Sequence, residues 1–241
     1  MILAMDSSAK PASVAVCSGG ELLGQYFQNS GLTHSRTLLS MAESLLRNID
    51  VRTSDIDLVA VSRGPGSFTG VRIGVSAAKG FAWGADKPVC GVSTLEAMAH
   101  QVTDPGVILC PVMDARRSQV YNALFVWKDG GLLRLCDDRA ISLEALETEL
   151  SSLRPSTESP LSSLNAQLPA PVLLIGDGSA ISYEYLKSAD IHCQMAPMLV
   201  RNQTAYGVAL AAIIAEPVPS TCLEPSYLRP SQAERERAGN L

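Results

Sequence analysis

The sequence is poor in the residues that build metal sites and disulfide frameworks. Only three histidines, at positions 34, 100 and 192, occur in 241 residues, and the six cysteines include no C-x-x-C pair. Zinc sites and disulfide scaffolds need such clusters, so we predict neither, and we expect a reducing, cytoplasmic environment. The N-terminus, MILAMDSS, lacks the basic flank of a signal peptide. The longest uncharged apolar run, at 204–215, is shorter than the roughly 20 residues that cross a bilayer. We therefore expect no membrane association.

An excess of positive charge is also absent. The chain has 19 basic and 24 acidic residues, which gives a net charge of −5. Proteins that bind nucleic acid unaided are usually basic, because much of the affinity comes from neutralising phosphates. Any contact with RNA should therefore need a partner. His192 and Cys193 are adjacent, and neighbours on an extended chain point to opposite sides, so they make a poor base and nucleophile. We predict no catalytic residue and no metal ligand.

The chain contains the same order of predicted elements twice. Each unit has three short β-type segments separated by polar or Gly-Gly turns, then an amphipathic helix, then another strand. The first unit contains ILAMD, ASVAVC, ELLGQYF, a helix over 33–49 and DLVAVS at 57–62; the second contains GVILCPVMD, SQVYNALFVW, LLRLC, a helix in ISLEALETELSSL and a strand in PVLLIGDGSA. This order is typical of a duplicated ribonuclease-H-like fold of the α/β class. Two unrelated β-meanders are the alternative.

We divide the chain into three segments on this pattern. Residues 1–104 form an N-terminal ribonuclease-H-like lobe, and residues 105–200 form a C-terminal lobe of the same kind. Residues 201–241 contain an uncharged helix near 202–215, which we expect to be buried against the lobes, and a polar tail. The Ser- and Pro-rich stretch at 154–171 predicts an exposed loop.

A glycine-rich run, SRGPGSFTGVRIG at 62–74, raises the question of a phosphate-binding loop. A Walker loop requires Gly-Lys-Ser or Gly-Lys-Thr, whereas Gly70 is followed by Val-Arg. A dinucleotide fingerprint belongs to the first βα turn, and Pro65 removes an amide that a phosphate would use. We interpret the run as a tight turn followed by a helix cap. An anion site at the helix N-terminus, using Ser67 and Thr69, is the alternative.

The predicted helices over 33–49 and 70–83 carry more apolar surface than packing on one sheet requires. The apolar stripe of the first helix is about 160° wide. In the second helix only Arg72, Ser76 and Lys79 are strongly polar. This surplus predicts a helical protein–protein interface, and a thicker internal core is the alternative. The candidate interface residues are Leu38, Leu39, Ala42, Leu45, Leu46, Val71, Gly74, Val75, Ala78 and Phe81.

Polar turns after the strands give a second candidate site. Asp6 and Asp114 end the first strand of the two units. In a nucleotide-binding protein of this fold, the turn after the first strand and a Gly-Asp-Gly turn would face phosphates. The candidate nucleotide contacts are Asp6, Ser7, Ser8, Gly176, Asp177 and Gly178. Asx turns without a ligand are the alternative.

Six stretches in order resemble the bacterial TsaB (YeaZ) family over nearly the whole chain, from 1 to about 230. They are MILAMDSS, the glycine run, G-V-S-T-L-E, M-D-A-R-R-S-Q-V-Y, G-D-G and P-S-Y-L-R. The resemblance implies an actin-like (ASKHA) fold of two lobes, each with a mixed sheet flanked by helices. It further implies a non-catalytic subunit that acts with the catalytic paralogue TsaD and the ATPase TsaE. That machinery transfers the threonylcarbamoyl group of threonylcarbamoyl-AMP to N6 of the adenosine beside the anticodon, in tRNAs that read codons beginning with A.

The resemblance also implies how the chain assembles. Helices 33–49 and 70–83 would pair with TsaD, the isolated chain would form a homodimer through the same surface, and tRNA would be bound only by the complex. No cofactor would be required, and weak binding of ATP or ADP stays open.

TsaD-like paralogues hold a metal with H-x-x-x-H. Thr94 and Met98 occupy those positions here, and neither suits a hard or borderline divalent ion, so the metal site is predicted to be lost. The rival functions are an ATP-dependent small-molecule kinase of the same fold and a peptidase-like protein.

Overall fold

The structure, a computed structural model, describes residues 1–152 and 171–229. The first lobe is built on a five-stranded sheet with the order β3-β2-β1-β4-β5. Strand β1 is central: it pairs antiparallel with β2 of the β1–β3 meander and parallel with β4, which follows the helical crossover connection. The strands are β1 (Ile2–Asp6), β2 (Ala12–Ser18), β3 (Glu21–Gln28), β4 (Leu58–Gly64) and β5 (Val89–Ser93).

Helices cover both faces of this sheet. Long aliphatic side chains such as Leu3, Met5 and Val14 pack under α1 (His34–Asn48) and α2 (Phe68–Ala85). The opposite face is lined by small residues, including Ala4, Ala15 and Ala60, against α7 (Ala205–Ala212). Small side chains on both sides let this helix approach the strands closely. Within the range 202–215, where a buried helix was predicted, the structure has the buried helix α7 over Ala205–Ala212, and Ile213 and Ile214 after it are exposed.

The second lobe repeats the plan with a seven-stranded sheet. Its main order is β10-β7-β6-β11-β12, and β8 pairs with both β6 and β9. The strands are β6 (Ile108–Asp114), β7 (Gln119–Asn122), β8 (Phe125–Lys128), β9 (Gly131–Arg134), β10 (Arg139–Ser142), β11 (Val172–Ile175) and β12 (Cys193–Met195). The helices are α4 (Leu143–Ser152), α5 (Ser179–Ser188) and α6 (Met198–Arg201). Two mixed sheets flanked by helices confirm the predicted α/β architecture.

One predicted strand of the second lobe is divided. SQVYNALFVW forms β7 and β8 because the ladder with β6 is interrupted at Pro111, which has no N–H to donate. The side-chain amide of Asn122 lies at this interruption, and its Nδ2 group donates to the Pro111 carbonyl oxygen at 3.0 Å. β7 therefore pairs with the end of β6, and β8 pairs at Leu109.

Helix α3 (Thr94–His100) connects the lobes. It packs against α7 of the first lobe, and its residues Leu95 and Met98 enter the core beneath the second sheet. The C-terminal helix α7 thus returns to the first lobe, whereas the predicted polar tail and nearly all of the predicted loop at 154–171 lie outside the described residues. No helix in the described ranges combines the length and hydropathy of a membrane span.

Candidate functional site

The glycine run packs directly on the turn that follows β1. The Ser7 hydroxyl donates to the Gly70 carbonyl at 2.9 Å, and the Ser67 amide donates to the Ser8 carbonyl at 2.6 Å. A Cβ at Gly70 would collide with the Ser7 carbonyl oxygen, and a Cβ at Gly74 would lie 2.6 Å from the Ser7 hydroxyl. Ser67 caps α2 by accepting from the Gly70 amide at 3.2 Å. The run is therefore a tight turn with a cap.

Asp6 lies buried at the bottom of this contact. Its carboxylate accepts from the Ser8 amide at 2.9 Å, from the Ser8 hydroxyl at 2.8 Å and from the Ser62 hydroxyl. Burial raises the pKa of Asp6, and the hydrogen bonds from Ser62 and Ser8 oppose that rise. Asp6, Ser7 and Ser8 are each at most 1% exposed. Their polar atoms are enclosed and bonded within the protein, and a nucleotide contact by these three residues stays a prediction.

The Gly-Asp-Gly turn lies at the end of β11. The Gly176 amide donates to the Arg201 carbonyl at 2.7 Å, and the Gly178 amide donates to the Val112 carbonyl at 3.1 Å. Asp177 is exposed, and its carboxylate accepts from the amide of Asp114 at 3.4 Å. The amides of both glycines are thus occupied within the second lobe, while the Asp177 side chain is accessible. A nucleotide role for these three residues stays a prediction.

Thr94 and Met98 lie one turn apart on α3, and both are fully buried. The Met98 side chain belongs to the core between α3 and the second sheet, where its sulfur lies beside Gly176. The two positions therefore hold core side chains. In the ranges that the structure describes, no group of three or more His, Cys, Asp or Glu residues could hold a metal ion.

The first lobe hides most of the predicted interface residues in its own core. Leu39 is 49% exposed and Phe81 is partly exposed, whereas the other eight side chains or glycines are buried. They are buried because α1 packs across β2 and α2 packs on β4 and on α1, so the alternative of a thicker internal core describes these eight, and their contact with a partner stays a prediction. The eight buried residues are Leu38, Ala42, Leu45, Leu46, Val71, Gly74, Val75 and Ala78, of which Leu38 still borders the groove described next.

A groove between the outer faces of α1 and α2 is the accessible apolar surface of this region. Its volume is about 540 Å³. The lining residues are His34, Ser35, Leu38, Leu39, Phe68, Thr69, Arg72, Ile73, Ser76 and Ala77. Farther along the same outer face of α2, Trp83 is 78% exposed, and a Cβ at Gly80 would meet nothing within 4 Å. A partner helix could therefore approach α2 closely here.

Arg72 stands at the edge of the groove with two aromatic rings. It contacts Phe68, one turn before it, and Tyr227 from the C-terminal segment. Sequence reasoning missed Tyr227 because 155 positions separate it from Arg72, and neither residue forms a pattern with the other. The stretch P-S-Y-L-R drew attention to Tyr227 only as part of a family resemblance.

The buried cysteines are poor nucleophiles. Burial raises the pKa of Cys17 to about 11 and that of Cys110 to about 12. Both thiols are therefore protonated at neutral pH, whereas a cysteine nucleophile reacts as the thiolate.

Comparisons with known proteins connect this geometry to a family. Residues 28–235 match the family model described as TsaD, tRNA N6-adenosine threonylcarbamoyltransferase. The protein named tRNA threonylcarbamoyladenosine biosynthesis protein TsaB from Bacillus subtilis strain 168 is 36% identical over 142 residues, which cover 59% of this chain and 62% of that one. The protein of the same name from Escherichia coli K12 is 36% identical over 133 residues, 54% of this chain and 57% of that one. The chain thus spans about three fifths of the length of these relatives.

A solved structure supports the fold. YeaZ from Pseudomonas aeruginosa superposes with a TM-score of 0.73 at 23% identity, and the match covers 94% of this chain and 99% of that one. At this identity the likeness concerns the fold alone. From the family match, the curated relatives and the shared fold together, we conclude that the chain belongs to the TsaD family and, within it, to the TsaB (YeaZ) group.

Proposed function

We propose that this chain is a non-catalytic subunit of the machinery that makes threonylcarbamoyladenosine in tRNA. One observation carries the proposal: the chain matches the transferase family over residues 28–235, yet Thr94 and Met98, which the resemblance places where the paralogues have metal-binding histidines, are buried core residues. A family member that lacks these metal-binding histidines is better suited to assist a catalytic paralogue than to carry out the transfer itself. The proposed catalytic partner is TsaD, and TsaE is the proposed ATPase of the complex.

In this proposal TsaD carries out the transfer from threonylcarbamoyl-AMP to N6 of the adenosine beside the anticodon. This chain stabilises TsaD through the exposed faces of α1 and α2, which present the groove lined by Leu39 and Ile73. Because this chain has a net charge of −5, the partners provide most of the affinity for the negatively charged tRNA. The isolated chain forms a homodimer through the same groove.

The enclosed Asp6 turn favours a subunit over a kinase of the same fold. A kinase needs open phosphate loops, whereas the loops that follow β1 and β4 bond to each other and enclose Asp6. Cys17 and Cys110 are buried thiols with raised pKa values, so neither suits the role of nucleophile in a cysteine peptidase.

The test is reconstitution of tRNA modification from purified TsaD, TsaE and threonylcarbamoyl-AMP, with and without this chain. We expect Leu39→Asp to preserve the fold, since the side chain is 49% exposed, and to weaken both TsaD binding and modification. Leu22→Asp is the matched control, because Leu22 is 39% exposed on β3 and is not part of the groove. Full modification without the chain would remove the proposed function. If Leu39→Asp binds TsaD normally, the TsaD interface does not lie at this groove.

A further inference from the structure

Three side chains at the start of α2 form an organised cluster. The guanidinium carbon of Arg72 lies 3.8 Å from the centre of the Phe68 ring and 5.5 Å from that of the Tyr227 ring. The Arg72 Nε group donates to the Tyr227 hydroxyl at 2.6 Å, and the two ring centres are 4.8 Å apart. Stacking and a hydrogen bond fix the plane of the guanidinium group before any partner arrives.

The segment that supplies Tyr227 is itself tied to α2 and β4. Lys79 on α2 donates to the carbonyl oxygens of Thr221 and Leu223 at 3.2 and 3.0 Å. Ser226 directly precedes Tyr227, and its backbone amide donates to the Arg63 carbonyl at 2.7 Å. The backbone of the residues that precede Tyr227 is therefore anchored to the first lobe, and the cluster belongs to the folded surface.

Arg72 keeps unused donors that face the groove. A guanidinium group has five N–H donors, and only Nε bonds to Tyr227. In residues 1–152 and 171–229, no carboxylate lies within salt-bridge distance of Arg72, and the lining of the groove contains no acidic residue. The adjoining cavity shares Arg72 and adds one Lys and one Glu, Lys79 and Glu224. This face is thus positive on a chain whose net charge is −5.

We propose that Arg72, clamped by Phe68 and Tyr227, receives a carboxylate from the catalytic partner, so that the C-terminal segment belongs to the interface. The inference rests on the proposed function, and its occupant is the TsaD paralogue with an Asp or Glu opposite Arg72. Charge complementarity favours this occupant, because a second copy of the chain would bring the same groove lining, which has no carboxylate of its own. A planar guanidinium with free donors binds a carboxylate through two parallel hydrogen bonds.

Calorimetric titration of the full chain into TsaD from the same organism, at low and at high salt, tests the inference. We expect Arg72→Gln to weaken binding by roughly tenfold to a hundredfold and to reduce its salt dependence. Arg72→Lys keeps the charge but loses the planar fork, and should restore only part of the affinity. Tyr227→Phe keeps the ring and removes the hydroxyl that orients Nε, so its loss should be smaller. In the supporting result, Arg72→Glu is rescued by one Asp→Arg or Glu→Arg substitution in TsaD.

Arg47→Gln is the matched control, because Arg47 loses the same charge on α1 and pairs with Glu43 outside the groove. Unchanged affinity and salt dependence for Arg72→Gln, with normal TsaD binding by the wild type, would overturn this inference alone. A wild-type chain that does not bind TsaD would overturn the proposed function with it. Loss of self-association without loss of TsaD binding would assign Arg72 to a second copy and would also overturn the inference. If Arg72→Gln does not fold, the affinities of Arg72→Lys and Tyr227→Phe for TsaD test the inference in its place. Wild-type affinity in both variants would then overturn it.

Discussion

Two glycines on one helix should respond in opposite ways to alanine. Gly80 lies on the outer face of α2, and a Cβ there would meet nothing within 4 Å. Alanine is a better helix former than glycine by about 0.8–1.0 kcal/mol in a helix interior. Gly80→Ala should therefore raise the free energy of unfolding of the isolated chain by up to about 1 kcal/mol.

Gly70→Ala should lower the free energy of unfolding. The new Cβ would lie within 3.0 Å of the Ser7 carbonyl oxygen, a separation that real Cβ atoms essentially never show. Overpacking of this kind costs about 1–3 kcal/mol, and loss of the Ser7 to Gly70 hydrogen bond at 2.9 Å costs about 1 kcal/mol more. The gain in helix propensity offsets less than 1 kcal/mol of this. We expect a net loss of about 2 kcal/mol.

Urea and thermal unfolding of the two variants measure the difference. For a domain of this size, 1 kcal/mol shifts Tm by about 2–4 °C, so Gly70→Ala should lower Tm by roughly 4–8 °C while Gly80→Ala raises it slightly. A Gly70→Ala variant as stable as the wild type would refute the packing account. The glycine run would then be free of the Ser7 turn, and an anion site at the start of α2 would become the better interpretation.

Three further predictions concern other parts of the molecule. Because burial raises the pKa of Asp6, its contribution to stability is greatest below its ordinary pKa of 3.8 and declines as pH rises through the raised value. Asp6→Asn should therefore flatten the fall in urea midpoint from acid to neutral pH, and an unchanged profile would contradict the burial argument. Arg134 on β9 pairs with Glu96 at 2.8 Å and with Asp138 at 2.6 Å, which joins the second lobe to α3. Arg134→Met should cost about 1–2 kcal/mol in unfolding experiments, less at high salt, and a loss that is independent of salt would point to packing alone. Trp83, 78% exposed, should shift its fluorescence to shorter wavelength when TsaD binds, and a shift that persists in Trp83→Phe would have another source.

Local patterns predicted most of the first lobe. The runs that become β1 to β4 were visible as short apolar segments between polar turns, and the same order in the second half predicted the repeated sheet. The division between β7 and β8 was not predictable from SQVYNALFVW, since its cause, Pro111, lies on the neighbouring strand.

The sequence did not reveal which face of α1 and of α2 is buried in the first lobe. Helix α2 is apolar on most sides, so its pattern cannot tell the core face from the partner face. Gly74 is one of the candidate interface residues predicted from the sequence, whereas in the structure it packs against the Ser7 turn of the same lobe. Gly80 is an accessible small residue of α2, and the pairing of Arg72 with Tyr227 depends on a tertiary contact that no local pattern encodes.

The central claim is that this chain is a non-catalytic subunit that acts with TsaD. It is tested most directly by how the rate of tRNA modification depends on the molar ratio of this chain to TsaD. This chain is titrated into fixed amounts of TsaD, TsaE, tRNA and threonylcarbamoyl-AMP, and the initial rate of tRNA modification is measured by mass spectrometry of the nucleosides. A non-catalytic subunit predicts a rate that rises until one chain is present per TsaD and then stays constant, with no product when TsaD is omitted. The account would be contradicted if the rate reached its maximum with far less than one copy of this chain per TsaD. Modification of tRNA by this chain without TsaD would also contradict it.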